Sequence, residues 1–172
     1  IAGPAADDVD RRARFPHEAV TAMREARLLG AMVPRALGGL GASTAEVAEI
    51  TRILAPSCAN SAMVFAMHQI EVASLLAEEA PTEWVLGFLR RIASEQLLIA
   101  NAGSEVGLGG QNASICAVQP TESGFHLEKH ALAISYGEYA DCIVATARRS
   151  ADAESFDSVT VICLKPHVTL EP

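Results

Sequence analysis

The chain has 172 residues, a mass of 18.1 kDa, a hydrophobic half and a formal charge of −8 with a pI near 5.1. That length supports a core without disulfide or metal staples. The acidic balance argues against a phosphate-backbone partner, which demands a basic face that the Arg148-Arg149 pair does not supply.

Along the chain, helix comes first. From Pro16 to Gly30 the residues Ala19, Ala22, Met23, Ala26 and Leu29 recur at intervals of three and four, with His17, Glu18, Thr21, Arg24 and Glu25 on the other side. Pro16 suits a first helical turn and Gly30 a stop. After the loop PRALGGLG, Ser43 and Glu46 form an S-x-x-E capping box for a second helix that turns Val47, Ile50 and Leu54 inward. Pro56 and the polar residues to Asn60 interrupt, and a long apolar helix is predicted from about Ser61 to Glu79. A fourth, announced by Pro81 and Thr82, carries Trp84, Val85, Phe88, Leu89 and Ile92 and ends near Ser94. Residues 1–95 are therefore expected to form an all-α domain.

The stretch SAMVFAMHQIEVASLLA contains His68, Gln69 and Glu71, which predicts a helix buried among helices and not a bilayer span. No basic stretch followed by an apolar run opens the sequence, so no secretion signal is expected. Cys58, Cys116, Cys142 and Cys163 show no C-x-x-C and no neighbouring histidine that completes a zinc pattern. They are expected to be reduced, buried thiols of a cytoplasmic protein.

After Glu95 the composition changes to short β-branched runs broken by turn residues: LLIANA, ASICAV, FHLEKH, DCIVATA and SVTVICL. Phe125, Leu127 and Lys129 alternate with His126, Glu128 and His130, as a sheet with one wet face requires. Residues 96–172 are expected to form an antiparallel β-barrel or sandwich domain, giving an α+β chain. About five short strands are few for a closed barrel, so the natural chain is expected to continue beyond Pro172.

No nucleophile elbow, H-E-x-x-H helix or histidine metal spacing is present. His126 and His130 read as a solvated face, and His68 as a hydrogen-bonded core histidine. The run GSEVGLGG, residues 103–110, is the unusual feature. It is followed by β-like sequence and lacks G-K-[ST], so neither a dinucleotide fingerprint nor a P-loop fits. Its residues leave two readings open: backbone amides offered to a carbonyl-rich ring or an anion, or a bulged turn with no ligand.

The helical run TAMREARLLGAMVPRALGGLG, followed by TAEVAEITRILAPSCANSAMVFAMHQ, resembles the N-terminal domain of the acyl-CoA dehydrogenases. These are flavoproteins with a helical, a β and a second helical domain. Their β domain opens on a strand and T-E-P-G-A-G-S-D; here SEVGLGGQ puts Ser104 at the threonine and Glu105 at the glutamate. Further on the family has a lysine, an aromatic and I-T-N-G; here Lys129 and AISYGEYAD place Ser135 at the second threonine.

The resemblance implies FAD as cofactor, with Ser104, Ser135 and the amides around Val106 and Tyr136 on the isoalloxazine ring. It implies Gly109 and Gly110 on the substrate side and α,β-dehydrogenation of an acyl-CoA with hydride transfer to FAD. A hydroxyl suits the ring because it can donate or accept as the redox state changes. Val106 stands for the proline, Gly110 for the serine and Ala133 for the aromatic beside the flavin, whose space Tyr136 or Tyr139 would fill. The family's base lies on the C-terminal helical bundle, beyond residue 172, so no catalytic residue is named; Glu105 does not replace it. The family also implies a homodimer or homotetramer and an electron-acceptor flavoprotein. The rival readings are a flavin-dependent monooxygenase on the same scaffold and a non-catalytic homologue.

Overall fold

Helices fill the first part of the chain: α1 (Ala2–Arg11), α2 (His17–Glu25), α3 (Thr44–Leu54), α4 (Ala59–Leu76) and α5 (Glu83–Glu95). The computed structural model describes residues 1–107 and 113–171. It divides into two units, Ile1–Leu98 and Ile99–Pro172.

Four of these helices are the expected ones, and α1 is additional. Its sequence hides it: Gly3, Pro4 and three aspartates are poor helix formers, and Val9 is its buried residue. Pro4 is tolerated because it sits in the first turn, where the backbone N–H has no intrahelical acceptor.

The helix beginning after Pro16 stops at Glu25, five residues short of Gly30. Arg27 adopts a left-handed backbone with φ 58°, and its guanidinium donates to the Ala93 carbonyl at 2.9 Å. Leu28–Gly30 then forms a separate 3₁₀ turn. Side chains of α4 take up that turn's polar groups. His68 Nε2 lies 2.7 Å from the Leu29 carbonyl, and Gln69 donates to the Leu28 carbonyl at 2.9 Å. His68 is fully buried, as expected of a core histidine. The Gln96 side chain accepts from the Leu29 amide at 3.1 Å.

The capping box forms as read: the Glu46 amide donates to Ser43 Oγ at 3.3 Å, and the Ser43 amide to Glu46 Oε2 at 2.8 Å. Leu29, Phe65, Leu89, Ile92 and Leu98 are among the large fully buried side chains of this unit, each worth about 1.5–3 kcal/mol of apolar transfer. Among the described residues no helix is long and apolar enough to cross a membrane.

The second unit holds β1 (Ile99–Ala102), β2 (Gln119–Thr121), β3 (Gly124–His126), β4 (Cys142–Arg148) and β5 (Ser158–Leu164). β4 and β5 are antiparallel with Val144 opposite Ile162, and β2–β3 is a small antiparallel hairpin. β1 departs from the antiparallel expectation. It runs parallel to β4, Ile99 beside Cys142 and Ala102 beside Ala145. Residues 103–141 separate the two strands, ample for the crossover that a parallel pair requires.

The run ASICAV forms no strand. Ala117 makes one isolated bridge to Arg148, and the amides of Ile115 and Cys116 go to the Glu105 carboxylate. A side-chain acceptor thus takes the donors that a ladder would have used. FHLEKH is a strand only to His126, although the alternation persists: Leu127 and Lys129 are half-buried, Glu128 and His130 exposed. Of the cysteines, Cys58 and Cys142 are buried and Cys116 and Cys163 half-buried, all as free thiols.

Candidate functional site

The core of the second unit is built from small residues. Ala100 and Ala102 of β1, Ala145 and Ile143 of β4, and Ala140 form one buried cluster, and Leu127, Ala131, Ile134, Tyr136 and Val168 pack against it. Residues 127–136 therefore lie on this cluster, and two bonds set their direction. The Val106 amide donates to the His130 carbonyl at 2.9 Å. The Tyr136 hydroxyl donates to the Ile99 carbonyl at 3.0 Å. The segment consequently runs from beside Val106, four residues past the end of β1, to the incoming end of β1 at Ile99.

This arrangement fixes the two serines. Ser104 stands two residues past β1, half-buried, and Ser135 lies in the returning segment, exposed. Both loops are fastened to the same strand. Among the described residues neither hydroxyl has a hydrogen-bond partner, so both can serve a ligand. The Val106 amide is committed to His130, so Val106 offers a ligand its exposed side chain and not its N–H. Tyr136 has a left-handed backbone with φ 45°. That conformation costs a non-glycine residue energy and persists only where the surroundings impose it. Its ring packs on the alanine cluster, whereas Tyr139 and Ala133 are exposed. Gly109 and Gly110 lie outside the described residues.

Two glycines explain the local turns. Gly107 has φ 89°, in the region that glycine alone adopts freely. A Cβ on Gly137 would stand 2.6 Å from Ile134 Cγ2, so the tight turn after Tyr136 excludes any side chain.

Beside Ser104 the structure assembles a polar centre that sequence reading did not find. Glu105 and Lys129 form an ion pair at 3.0 Å, with side chains 4% and 6% exposed. Glu105 also accepts from Ser114 Oγ at 2.7 Å, from the Ile115 amide at 3.0 Å and from the Cys116 amide at 2.8 Å. Lys129 donates in addition to the Thr146 carbonyl at 2.9 Å. Burial by itself pushes the Glu105 carboxyl upward, but the bonds from Ser114, Ile115, Lys129 and Cys116 prevail and hold it down at about 2. A carboxylate so held stays ionised and is a poor proton acceptor, in keeping with its exclusion as the base. The signal was present in the alternation: Lys129 shares a phase with Leu127, and a lysine on the inward face needs a buried carboxylate.

Known proteins share this architecture. A comparison with curated protein sequences gives no match. Among solved structures, FMN-bound TdsC from Paenibacillus sp. A11-2, a dibenzothiophene monooxygenase, superposes with a TM-score of 0.82 at 20% identity over 95% of this chain. A nitrososynthase from Micromonospora carbonacea var. africana gives 0.73 at 24% over 94%. An acyl-CoA dehydrogenase from Geobacillus kaustophilus gives 0.75 at 20% over 95%. The chain spans 41%, 40% and 43% of those proteins, respectively. At such identities the likeness establishes the fold, α+β with a helical unit followed by small sheets. The family model for the acyl-CoA dehydrogenase N-terminal domain matches residues 2–96, more than half of the sequence, and the chain belongs to the acyl-CoA dehydrogenase family.

Proposed function

We propose that the full-length protein is a flavin-dependent oxidoreductase that dehydrogenates an acyl-CoA thioester between Cα and Cβ, with FAD as hydride acceptor. The observation that carries this reading is the fastening of both serine-bearing loops to β1, which leaves the hydroxyls of Ser104 and Ser135 without a partner among the described residues. The donor set fits a flavin ring. A bound flavin supplies a ring position that accepts a hydride equivalent; the chain's residues supply orientation. Ser104 and Ser135 can each donate or accept as the ring changes redox state. Val106 and Tyr136 line the same two loops, and Gly109 and Gly110 belong to the substrate side. The base comes from outside these residues. A homodimer or homotetramer, a cytoplasmic setting and an electron-acceptor flavoprotein complete this reading.

One observation favours a second reading. Ala133 is small and exposed where the family carries an aromatic, which leaves room beside the ring for another substrate. TdsC, whose fold is shared, is an FMN-bound monooxygenase. In this reading reduced flavin and O₂ oxygenate a small molecule.

Anaerobic mixing of the flavin-loaded full-length protein with acyl-CoA thioesters tests the first reading. Loss of the visible flavin absorbance is expected. Failure with every chain length, together with substrate-dependent O₂ uptake in the presence of reduced flavin, transfers the assignment to the monooxygenase. A protein that takes up neither FAD nor FMN ends both. In the same preparation Ser104→Ala and Ser135→Ala are each expected to weaken flavin binding about fivefold to tenfold, the equivalent of one hydrogen bond.

A further inference from the structure

We infer that Lys129 is a positioning residue for the flavin face, setting the separation of Ser104 and Ser135 through Glu105. This inference rests on the flavin reading and goes beyond it, because it gives a role to a side chain that is buried and bonded away from any ligand. Its ammonium joins three places distant in sequence: Glu105, Thr146 of β4 and, at 3.7 Å, the Cys116 thiol. Glu105 is the neighbour of Ser104, and Lys129 precedes His130, whose carbonyl takes the Val106 amide. The ion pair and that backbone bond together clamp residues 105–106, just past β1, to the start of the segment that leads to Ser135. The Tyr136 hydroxyl on the Ile99 carbonyl fixes the segment's far end. With both ends held, the distance between the two hydroxyls is set by β1 together with the clamped residues that follow it, and not by free loop motion.

Lys129 acts through its neighbours and not on a ligand. Its side chain is 6% exposed, and the partners around its ammonium are Glu105, Thr146 and Cys116. The two members of the pair also differ in what their loss would do. Glu105 holds Ser114 and two backbone amides, so the turn at 113–116 depends on it. If Lys129 is replaced by a neutral chain, those three donors remain on Glu105. The turn then survives, while residues 129–130 lose their charged tie to residue 105. Lys129 is therefore the residue at which positioning separates from folding.

The test uses the full-length protein with its flavin and three variants: Lys129→Met, Lys129→Arg, and Lys129→Gln. Lys129→Met is expected to keep its far-UV circular dichroism, to bind flavin about tenfold more weakly, to alter the fine structure of the bound flavin's absorption, and to speed hydrogen exchange of the Val106 amide. Lys129→Arg, which keeps the charge, is expected to restore binding to within about threefold. Lys129→Gln, which keeps a donor for Thr146, is read in the same way if Lys129→Met does not fold. A folded neutral variant with a lowered melting temperature but unchanged flavin affinity and spectrum overturns the inference, leaving Lys129 a stabiliser. The serine variants separate the two failures. If Ser104→Ala and Ser135→Ala weaken flavin binding and the neutral Lys129 variant does not, the positioning role alone falls. If neither serine matters, the flavin reading falls and this inference with it.

Discussion

Around the 28–32 turn the helical unit satisfies buried backbone groups with the side chains of His68, Gln69 and Gln96, which divide the bonds among them. The β unit satisfies its turn at 113–116 with a charge, the Glu105 carboxylate, and balances that charge with Lys129. The two devices solve the same problem, a loop whose polar backbone is buried. They fail differently. Losing a neutral bond leaves one polar group unsatisfied, whereas losing one member of a buried ion pair leaves a charge without its counter-charge. The loop beside the candidate site is thus the one with the more severe penalty for disorder.

The sharpest way to break this contrast is Glu105→Leu. It leaves the Lys129 ammonium without its counter-charge and the Ile115 and Cys116 amides without their acceptor, and is expected to cost about 3–5 kcal/mol in denaturant unfolding. A cost under about 1 kcal/mol would place the turn's stability elsewhere. Acid titration probes the same centre without mutation. The Glu105 carboxyl is depressed from 4.5 to about 2 in the folded state. Its contribution is therefore complete above the unfolded value and is lost as pH falls from about 4.5 through about 2. Unfolding midpoints measured across that window should drop in the native chain, and the drop should be smaller in Glu105→Gln.

The helical side is expected to respond more mildly. His68→Leu removes the bond to the Leu29 carbonyl and should cost about 1–3 kcal/mol. A loss comparable to that of Glu105→Leu would erase the contrast. Ser43→Ala tests the smallest term. The capping box of α3 is exposed and local, and about 1 kcal/mol is expected from thermal unfolding.

The candidate site was legible in part. Ser104, Ser135, Glu105 and Lys129 were all recognisable as family positions, yet their partners were not. Nothing near Glu105 in sequence marks Ser114 or Cys116 as donors, since the turn that presents them reads as a strand. Val106 illustrates the reverse: it stood out as an amide for the ring, and the fold commits that amide to His130.

The sequence by itself determined the features encoded within a few residues. The Ser43–Glu46 capping box, the inward Val47 of α3, the inward Phe88, Leu89 and Ile92 of α5, the change from helix to strand after α5 and the strands β4 and β5 follow from spacing and propensity, whereas Trp84, read on the same side of α5, is exposed. Tertiary structure decided whatever depended on a competition between distant partners. It ended α2 at Glu25 by turning Arg27 to Ala93, set β1 parallel to β4, and replaced an expected strand at 113–118 with a turn held by a carboxylate. The physical reason is that a periodicity fixes which side of an element is apolar. Which donor meets which acceptor across twenty or more residues is fixed only when the elements pack.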